Sequence, residues 1–343
     1  MKKHLNTLFV TTQGSYLAKD GECVLIRVEQ TDKARIPIHT LGGIVCFGNV
    51  LASPFLLGHC ADNNVAVSFM TENGRFLARV QGPVSGNVLL RREHYRRADD
   101  PAASASMARA VLTAKIANSR TVLLRAGRDH GDKTDTASLD AACDALSRIL
   151  ARLNAASSLD EMRGMEGEAA RTYFGAFNHC ITAEKENFFF HERSRRPPLD
   201  NMNALLSFLY TLLAHDVAAA LEGVGLDPAV GFLHRDRPGR PGLALDIMEE
   251  FRPFLADQLA LSLINRRQIN GKGFKKTETG SVLMTDETRK EVIVAWQKRK
   301  QEEIKHPFID ETAPIGLLPH LQAMLLARHL RGDLDGYPPF LWR

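Results

Sequence analysis

The feature that most constrains this chain is a change of rhythm near residue 85. Up to that point it runs in short apolar and β-branched stretches at Leu8–Thr12, Cys23–Val28, Ile36–His39, Gly43–Phe47, Val65–Met70 and Phe76–Val80. Asp20-Gly21 and Asn73-Gly74 are hairpin signals between them, and Gly82-Pro83 with Gly86 closes the stretch. A short helix is expected near Ser53–Ala61. From Asn87 onward apolar residues recur at helical spacing, over Ala102–Gly127, Leu139–Ala155, Leu159–Ile181, Leu199–Leu221, Leu243–Asn265, Thr288–Ile304 and Leu317–Leu330. Ser158 and Glu161 match a capping box at the start of one of these. The two rhythms predict an α+β protein, with a β-rich unit over residues 1–85 and a larger all-helical unit over residues 86–343.

Composition narrows the class further. At 343 residues, 44% hydrophobic and 24% charged, the chain has material for two packed cores and is not disordered. No apolar run reads as long enough to span a bilayer, and the N-terminus has no apolar core of a signal peptide. The five cysteines are scattered without a Cys-x-x-Cys pair, which fits reduced thiols and a cytoplasmic location. His179-Cys180 hints at a thiol nucleophile, although a buried helical cysteine is the simpler account. There is no Walker loop and no strand–GxGxxG–helix fingerprint, which disfavours a nucleotide-cofactor enzyme.

Chemistry concentrates around Gly231-Phe232-Leu233-His234, which leads through a Pro/Gly/Arg loop to Asp246-Ile247-Met248-Glu249-Glu250-Phe251-Arg252-Pro253. Read as one helix, residues 243–265 place Asp246, Glu249 and Glu250 on roughly one face. Glu166 and Glu168 lie on another predicted helix that could pack against it. One imidazole with two or three carboxylates suits Mg²⁺ or Mn²⁺, and Arg235, Arg237, Arg240 and Arg252 suit a polyanionic substrate. Each piece also has a plain account. His234 could be a surface residue, Asp246 a first-turn acid, Glu249 and Arg252 an exposed helix pair, and Glu166 and Glu168 part of a solvated face.

Two basic segments add to the pattern. Arg193-Ser194-Arg195-Arg196-Pro197-Pro198 cannot be helical across its prolines. Residues 266–305 hold eleven Lys/Arg against six Asp/Glu, with Lys272, Lys275 and Lys276 in a Gly-rich, loop-like part. Such runs are usually solvated surface; near an acidic constellation they favour a phosphate track. Three readings stand at this point: phosphodiester chemistry on DNA, a non-catalytic DNA-binding scaffold with a structural acidic cluster, and a hydrolase of small phosphate esters. The number of basic loops weighs against the third.

The ordered motifs resemble the CRISPR-associated protein one family, the integrase and endonuclease of spacer acquisition. They include Lys115-Ile116-Ala117-Asn118, Glu166-Gly167-x-Ala169, Arg195-Arg196-Pro197-Pro198-x-Asp200, Tyr210, Gly225-Leu226-Asp227-Pro228, the two segments around His234 and Glu249, and His306-Pro307. Tyr337-Pro338-Pro339-Phe340-Leu341-Trp342-Arg343 is similar to subtype I-C members. The resemblance implies a small N-terminal β-sandwich that dimerises, a larger all-α catalytic unit, and one Mg²⁺ or Mn²⁺ held by the catalytic residues Glu166, His234 and Glu249. It places Asp246 as a further acid near the metal and Tyr210 beside the site. Some members carry Asp where this chain has Glu249. Double-stranded DNA as substrate and CRISPR-associated protein two as partner follow from the resemblance, with a CRISPR-associated nuclease of the fourth type as a further partner. On this reading Arg193, Arg195, Arg196, Arg252, Lys272, Lys275 and Lys276 bind DNA phosphates.

Overall fold

A computed structural model describes residues 6–72, 76–80, 82, 88–195 and 197–342. The Asn73-Gly74 turn, residues 83–87 and Arg196 lie outside them. The chain divides into two compact units: residues 1–86 with 293–301, and residues 87–292 with 302–343.

The first unit carries β1 (Asn6–Val10), β2 (Ser15–Asp20), β3 (Cys23–Val28), β4 (Thr31–Pro37), β5 (Leu41–Phe47), β6 (Val50–Ala52), α1 (Pro54–Asp62), β7 (Ala66–Met70) and β8 (Phe76–Val80). One four-stranded sheet has the order β1-β5-β7-β8 and the other β4-β3-β2-β6. Val10, Ile44 and Val67 from the first meet Leu17, Val24 and Val50 from the second in one apolar cluster, which gives the expected sandwich. The β2–β3 hairpin turns at Gly21, whose φ of +57° is costly for a residue with a Cβ. Pro54 opens α1, and Ser53 Oγ caps it by accepting from Leu56 N at 3.2 Å. The sequence signal at Ile36–His39 catches only the end of β4, because Thr31–Arg35 is an exposed edge segment held by backbone pairing. The C-terminal half of the helix at Asp286–Gln301 belongs to this unit, where Gln297 Nε2 donates to Thr7 O at 2.8 Å.

The second unit is helical: α2 (Val88–Asp99), α3 (Pro101–His130), α4 (Thr136–Ala155), α5 (Leu159–Phe177), α6 (Asn201–Val224), α7 (Gly242–Met248), α8 (Gln258–Asn265), the first turns of α9 (Asp286–Gln301) and α10 (Leu318–Arg331). Two short ribbons interrupt it, β9 (Phe274–Lys276) with β10 (Val282–Met284), and β11 (Glu303–Lys305) with β12 (Thr312–Pro314). Helices α3, α4 and α5 pack on one another, and α6 packs on α7 and α10. Glu161 N bonds Ser158 Oγ, while the Glu161 carboxylate reaches Ser157 N, one residue short of a standard capping box. Contrary to the sequence reading, α6 is long and apolar enough to cross a membrane by length and composition. Leu205, Leu206, Leu209, Leu213 and Val217 on it are nonetheless fully buried in the protein, as in a core helix.

The predicted single helix over Leu243–Asn265 is broken. α7 ends at Met248, Arg252–Asp257 forms a π-helical turn, and only then does α8 begin. Pro253 lies inside the break; it has no N–H for the helical ladder, and its ring crowds the preceding turn. Lys275 and Lys276 lie on a β-ribbon strand, while Lys272 sits in the turn before it.

Candidate active site

Asp246 is 1% exposed and organises the loop ahead of it. Its Oδ2 accepts from Phe232 N at 2.6 Å and Leu233 N at 3.0 Å, and its Oδ1 accepts from His234 N at 3.0 Å. The same Oδ1 lies 2.5 Å from His234 Nδ1. A carboxylate in this role can only accept, so Nδ1 carries the hydrogen and the lone pair of Nε2 is left for chemistry. Two glycines allow the close packing beneath. A Cβ on Gly231 would meet the Gly242 carbonyl carbon at 2.8 Å, and one on Gly242 would meet Ala229 O at 2.7 Å. From α5, Arg163 donates to Leu233 O through Nε at 3.0 Å and Nη2 at 2.7 Å. Arg163 is one turn before Glu166, so α5 is tied to the His234 loop.

Lys115, near the middle of α3, is where the remaining acids converge. Its ammonium pairs with Glu166 Oε1 and lies 2.9 Å from Glu249 Oε2. Glu249 is 2% exposed, and its other oxygen pairs with Arg252 Nη1 at 2.8 Å. Burial opposes ionisation of Glu249, but Arg252, then Lys115 and His234, outweigh it and bring the carboxyl down to about 2. Glu249 Oε2 pairs with the Lys115 ammonium and has a second lone pair, so a buried anionic oxygen faces the site with acceptor capacity to spare.

Glu166 and Lys115 line a cavity with Tyr173, Arg193, Arg195, Tyr210, Arg252 and Asp257. Both tyrosines donate to Asp257, Tyr210 to Oδ1 at 2.6 Å and Tyr173 to Oδ2 at 3.0 Å. Burial pushes the Asp257 carboxyl up to about 6 against those hydrogen bonds, and it holds both phenols far above the ordinary tyrosine range. Arg193 and Arg252 stack over the Tyr210 ring at 5.3 and 4.9 Å. Lys115, Tyr173 and Asp257 had not been singled out from the sequence as site groups. The available signal was a lone charge inside an apolar helical run, which is rarely buried without a partner.

Other expectations change. Asp246, Glu249 and Glu250 do not share a face: α7 ends at Met248, and the three point to the His234 loop, to Lys115, and away from the site. Glu250 accepts from Tyr337 OH at 2.7 Å, Phe340 N at 2.7 Å and Gln322 Nε2 at 2.9 Å. Arg252 was expected on DNA phosphate, but its guanidinium is largely buried and engaged with Glu249. Arg193 is also turned inward, bonding Asn203 Oδ1 at 2.6 Å and Ser207 Oγ at 3.0 Å. Arg195, Lys272, Lys275 and Lys276 are exposed. Glu168 is on a solvated face with Arg152, and Cys180 is buried with its thiol pushed up to about 12 by burial, which removes it as a nucleophile.

Among the described residues no three His, Cys, Asp or Glu side chains are gathered into a closed metal cage. The donor chemistry nevertheless fits a divalent cation. Two carboxylates from different elements already face one cationic group, whose place a metal ion could take, and the carboxylate behind His234 leaves Nε2 as a ligand.

The chain thus joins a β-sandwich unit to a helical unit that carries buried carboxylates, a carboxylate-held histidine and arginines. The family model for CRISPR associated protein Cas1 matches residues 8–298, and the chain belongs to that family. It is 60% identical over the full length of both chains to CRISPR-associated endonuclease Cas1 1 of Chlorobaculum tepidum, and 54% identical over the full length of both to CRISPR-associated endonuclease Cas1 2 of Rhodospirillum rubrum. It is 35% identical to a CRISPR-associated exonuclease Cas4/endonuclease Cas1 fusion of Geobacter sulfurreducens, over 98% of this chain and 60% of that one. The fold is shared with a Cas1 protein from Thermotoga maritima (TM-score 0.82, 23% identity, 96% of this chain and 97% of that one). It is shared also with a casposase bound to integration product (TM-score 0.84, 21% identity, 99% and 95%) and a Cas6-RT-Cas1–Cas2 complex (TM-score 0.81, 22% identity, 99% and 36%).

Proposed function

We propose that this chain is a metal-dependent DNA integrase and endonuclease of spacer acquisition, joining the 3′-hydroxyl ends of a foreign DNA fragment to CRISPR repeat DNA by transesterification. The observation that carries this reading is the convergence of Glu166 and Glu249 on Lys115, in a cavity whose wall includes Arg193, Arg195 and Arg252. Mg²⁺ or Mn²⁺ held by Glu166, Glu249 and His234 Nε2 would supply Lewis-acid stabilisation of charge on the phosphate. The protein's own groups do the rest. Asp246 fixes the tautomer and direction of His234, Arg252 keeps Glu249 ionised, and the Arg195 guanidinium takes up phosphate oxygens. The attacking 3′-hydroxyl makes one phosphodiester as another breaks, releasing a new 3′-hydroxyl, so the exchange needs no ATP. With water as the attacking group the same arrangement cuts DNA.

Double-stranded DNA is the proposed substrate, and the N-terminal β unit the proposed homodimer contact. The Cas1–Cas2 complex of a structural neighbour supports Cas2 as a partner, and the Cas4/Cas1 fusion of a relative supports a Cas4-type nuclease. The C-terminal Tyr337–Arg343 segment supports subtype I-C, and a cytoplasmic location fits the five free cysteines. The test offers the protein a repeat-bearing plasmid with a DNA fragment ending in a 3′-hydroxyl or in a 3′-dideoxynucleotide. Joined product is expected with the hydroxyl end alone, and only with Mg²⁺ or Mn²⁺. Tight DNA binding without product under either metal would instead make the protein a scaffold.

A further inference from the structure

Glu166 on α5 and Glu249 just after α7 meet on the ammonium of Lys115. The Lys115 side chain is 13% exposed and rises from an apolar stretch of α3 in which Val111, Leu112, Ala114 and Ile116 are buried. Its base is fixed. One turn along α3, Asn118 Nδ2 donates to Glu250 O at 2.7 Å and to Phe340 O at 2.9 Å, so the helix is fastened to the backbone next to Glu249. Glu249 is held independently of Lys115. Its Oε1 pairs with Arg252 Nη1 at 2.8 Å, while its Oε2 lies 2.9 Å from Lys115 Nζ.

The formal charges of this cluster balance. Glu166 and Glu249 bring two negative charges, and Lys115 and Arg252 bring two positive ones. Without Lys115 the two carboxylates would repel each other in a largely buried place, with the Arg252 guanidinium alone to offset them. A divalent ion bound by the same carboxylates meets an ammonium already in position. It would leave the cluster with a surplus of two positive charges, because a bound ion is the largest charge in its site. DNA removes that surplus, since each phosphodiester carries one negative charge. The unloaded cluster is balanced by lysine, and the loaded one by DNA.

We infer that Lys115 is the resident cation of the unloaded site and makes metal loading conditional on DNA. Its ammonium holds the two carboxylates together, competes with Mg²⁺ or Mn²⁺ for them, and yields when DNA phosphate offers it another counter-ion. The inference rests on the reading of the chain as a metal-dependent DNA integrase and adds an order of assembly, with DNA arriving before or together with the metal. The test titrates Mn²⁺ and reads the free ion by electron paramagnetic resonance. It is run with and without a blunt duplex carrying 3′-dideoxy ends, and the ions held by that duplex alone are subtracted. DNA should tighten Mn²⁺ binding by the wild-type protein about 5- to 150-fold, the usual span of coupling between two sites. Lys115→Met removes the charge and keeps the apolar stem. Without DNA it should bind Mn²⁺ about 10- to 100-fold more tightly than wild type, the worth of a charge-assisted hydrogen bond, and it should gain less from DNA. Lys115→Arg keeps the charge and should stay near wild type. Equal Mn²⁺ affinity of the wild-type protein with and without DNA overturns the inference, whether or not the variants fold. So does a folded Lys115→Met protein that binds Mn²⁺ no more tightly than wild type. The integrase reading fails separately, when wild-type protein shows DNA-dependent Mn²⁺ binding and yet joins no 3′-hydroxyl end to repeat DNA.

Discussion

Asp246 and His234 act as one unit, because Asp246 Oδ1 receives both the backbone N–H of His234 at 3.0 Å and its ring Nδ1–H at 2.5 Å. Backbone position, ring tautomer and ring direction are thus set by one buried oxygen. Asp246→Asn keeps the shape but puts an NH2 donor in place of one oxygen, facing either the Phe232 and Leu233 N–H groups at Oδ2 or the His234 N–H and ring Nδ1–H at Oδ1. Strand transfer should fall about 10- to 100-fold, as for other groups that orient a ligand from behind. DNA affinity, measured by anisotropy, should change little, since the proposed phosphate contacts lie elsewhere.

The same loop depends on two glycine backbones passing within Cβ distance. Gly231→Ala would press a methyl group against the Gly242 backbone at 2.8 Å and towards Asp246 Oδ2 at 3.0 Å. Backbone cannot yield as a side-chain tip can, so the variant should lose about 1–3 kcal/mol in urea unfolding. Gly164→Ala on α5, where nothing beyond the helix's own backbone lies within 4 Å of the added methyl group, should show no such loss and is the matched control.

Glu250 secures the C-terminal segment. Besides its own bonds to Tyr337, Gln322 and Phe340, its carbonyl accepts from Asn118 Nδ2 at 2.7 Å, and Asn118 Oδ1 accepts from Trp342 N at 2.8 Å. Burial pushes the Glu250 carboxyl up to about 7 from its usual 4.5. The folded protein therefore holds this proton more tightly than the unfolded chain does. Stability is undiminished below pH 4.5 and falls as pH rises to about 7, a loss of about 3 kcal/mol. Glu250→Gln can keep the hydrogen bonds without ionising, so it should be more stable than wild type above pH 7 and lose that part of the pH slope. Equal slopes in chemical denaturation from pH 5 to 8 would contradict this.

The exposed lysines give a salt-dependence test. With Arg193 and Arg252 turned inward, Lys272, Lys275 and Lys276 are the better candidates for phosphate contacts. Replacing all three with alanine should weaken binding to all DNA sequences alike. It should also flatten the slope of log affinity against log salt by about 2–3 units. An unchanged slope means a solvated surface; a loss confined to repeat DNA means base readout.

Much of this fold could be read locally. The Asp20-Gly21 turn, the Ser53-Pro54 helix start and the Ser158 cap depend on neighbours within a few residues, and the structure has all three. His234, Asp246, Glu249 and Glu250 were visible as a cluster with the Glu166/Glu168 pair, and the family resemblance, not spacing, singled out Glu166, His234 and Glu249. Their directions were not visible, since periodicity alone carried the helix straight through Pro253. Lys115 and Asp257 acquire meaning only through partners distant in sequence, such as Glu249 and Tyr173, and no local pattern reports those. The pairing of Arg252 with Glu249 was hidden for a related reason: a positive charge beside a basic loop reads as a phosphate ligand until the buried Glu249 is seen beside it.

The central claim is that Glu166, Glu249 and His234 serve one reaction centre rather than DNA affinity. The most direct measurement compares Mg²⁺- or Mn²⁺-dependent strand transfer and DNA affinity in wild type, Glu166→Ala, Glu249→Ala and His234→Ala, after each variant is shown to be folded. All three variants should lose joined product while their dissociation constants stay within a few-fold of wild type. Wild-type levels of integration by a folded His234→Ala protein would contradict the account.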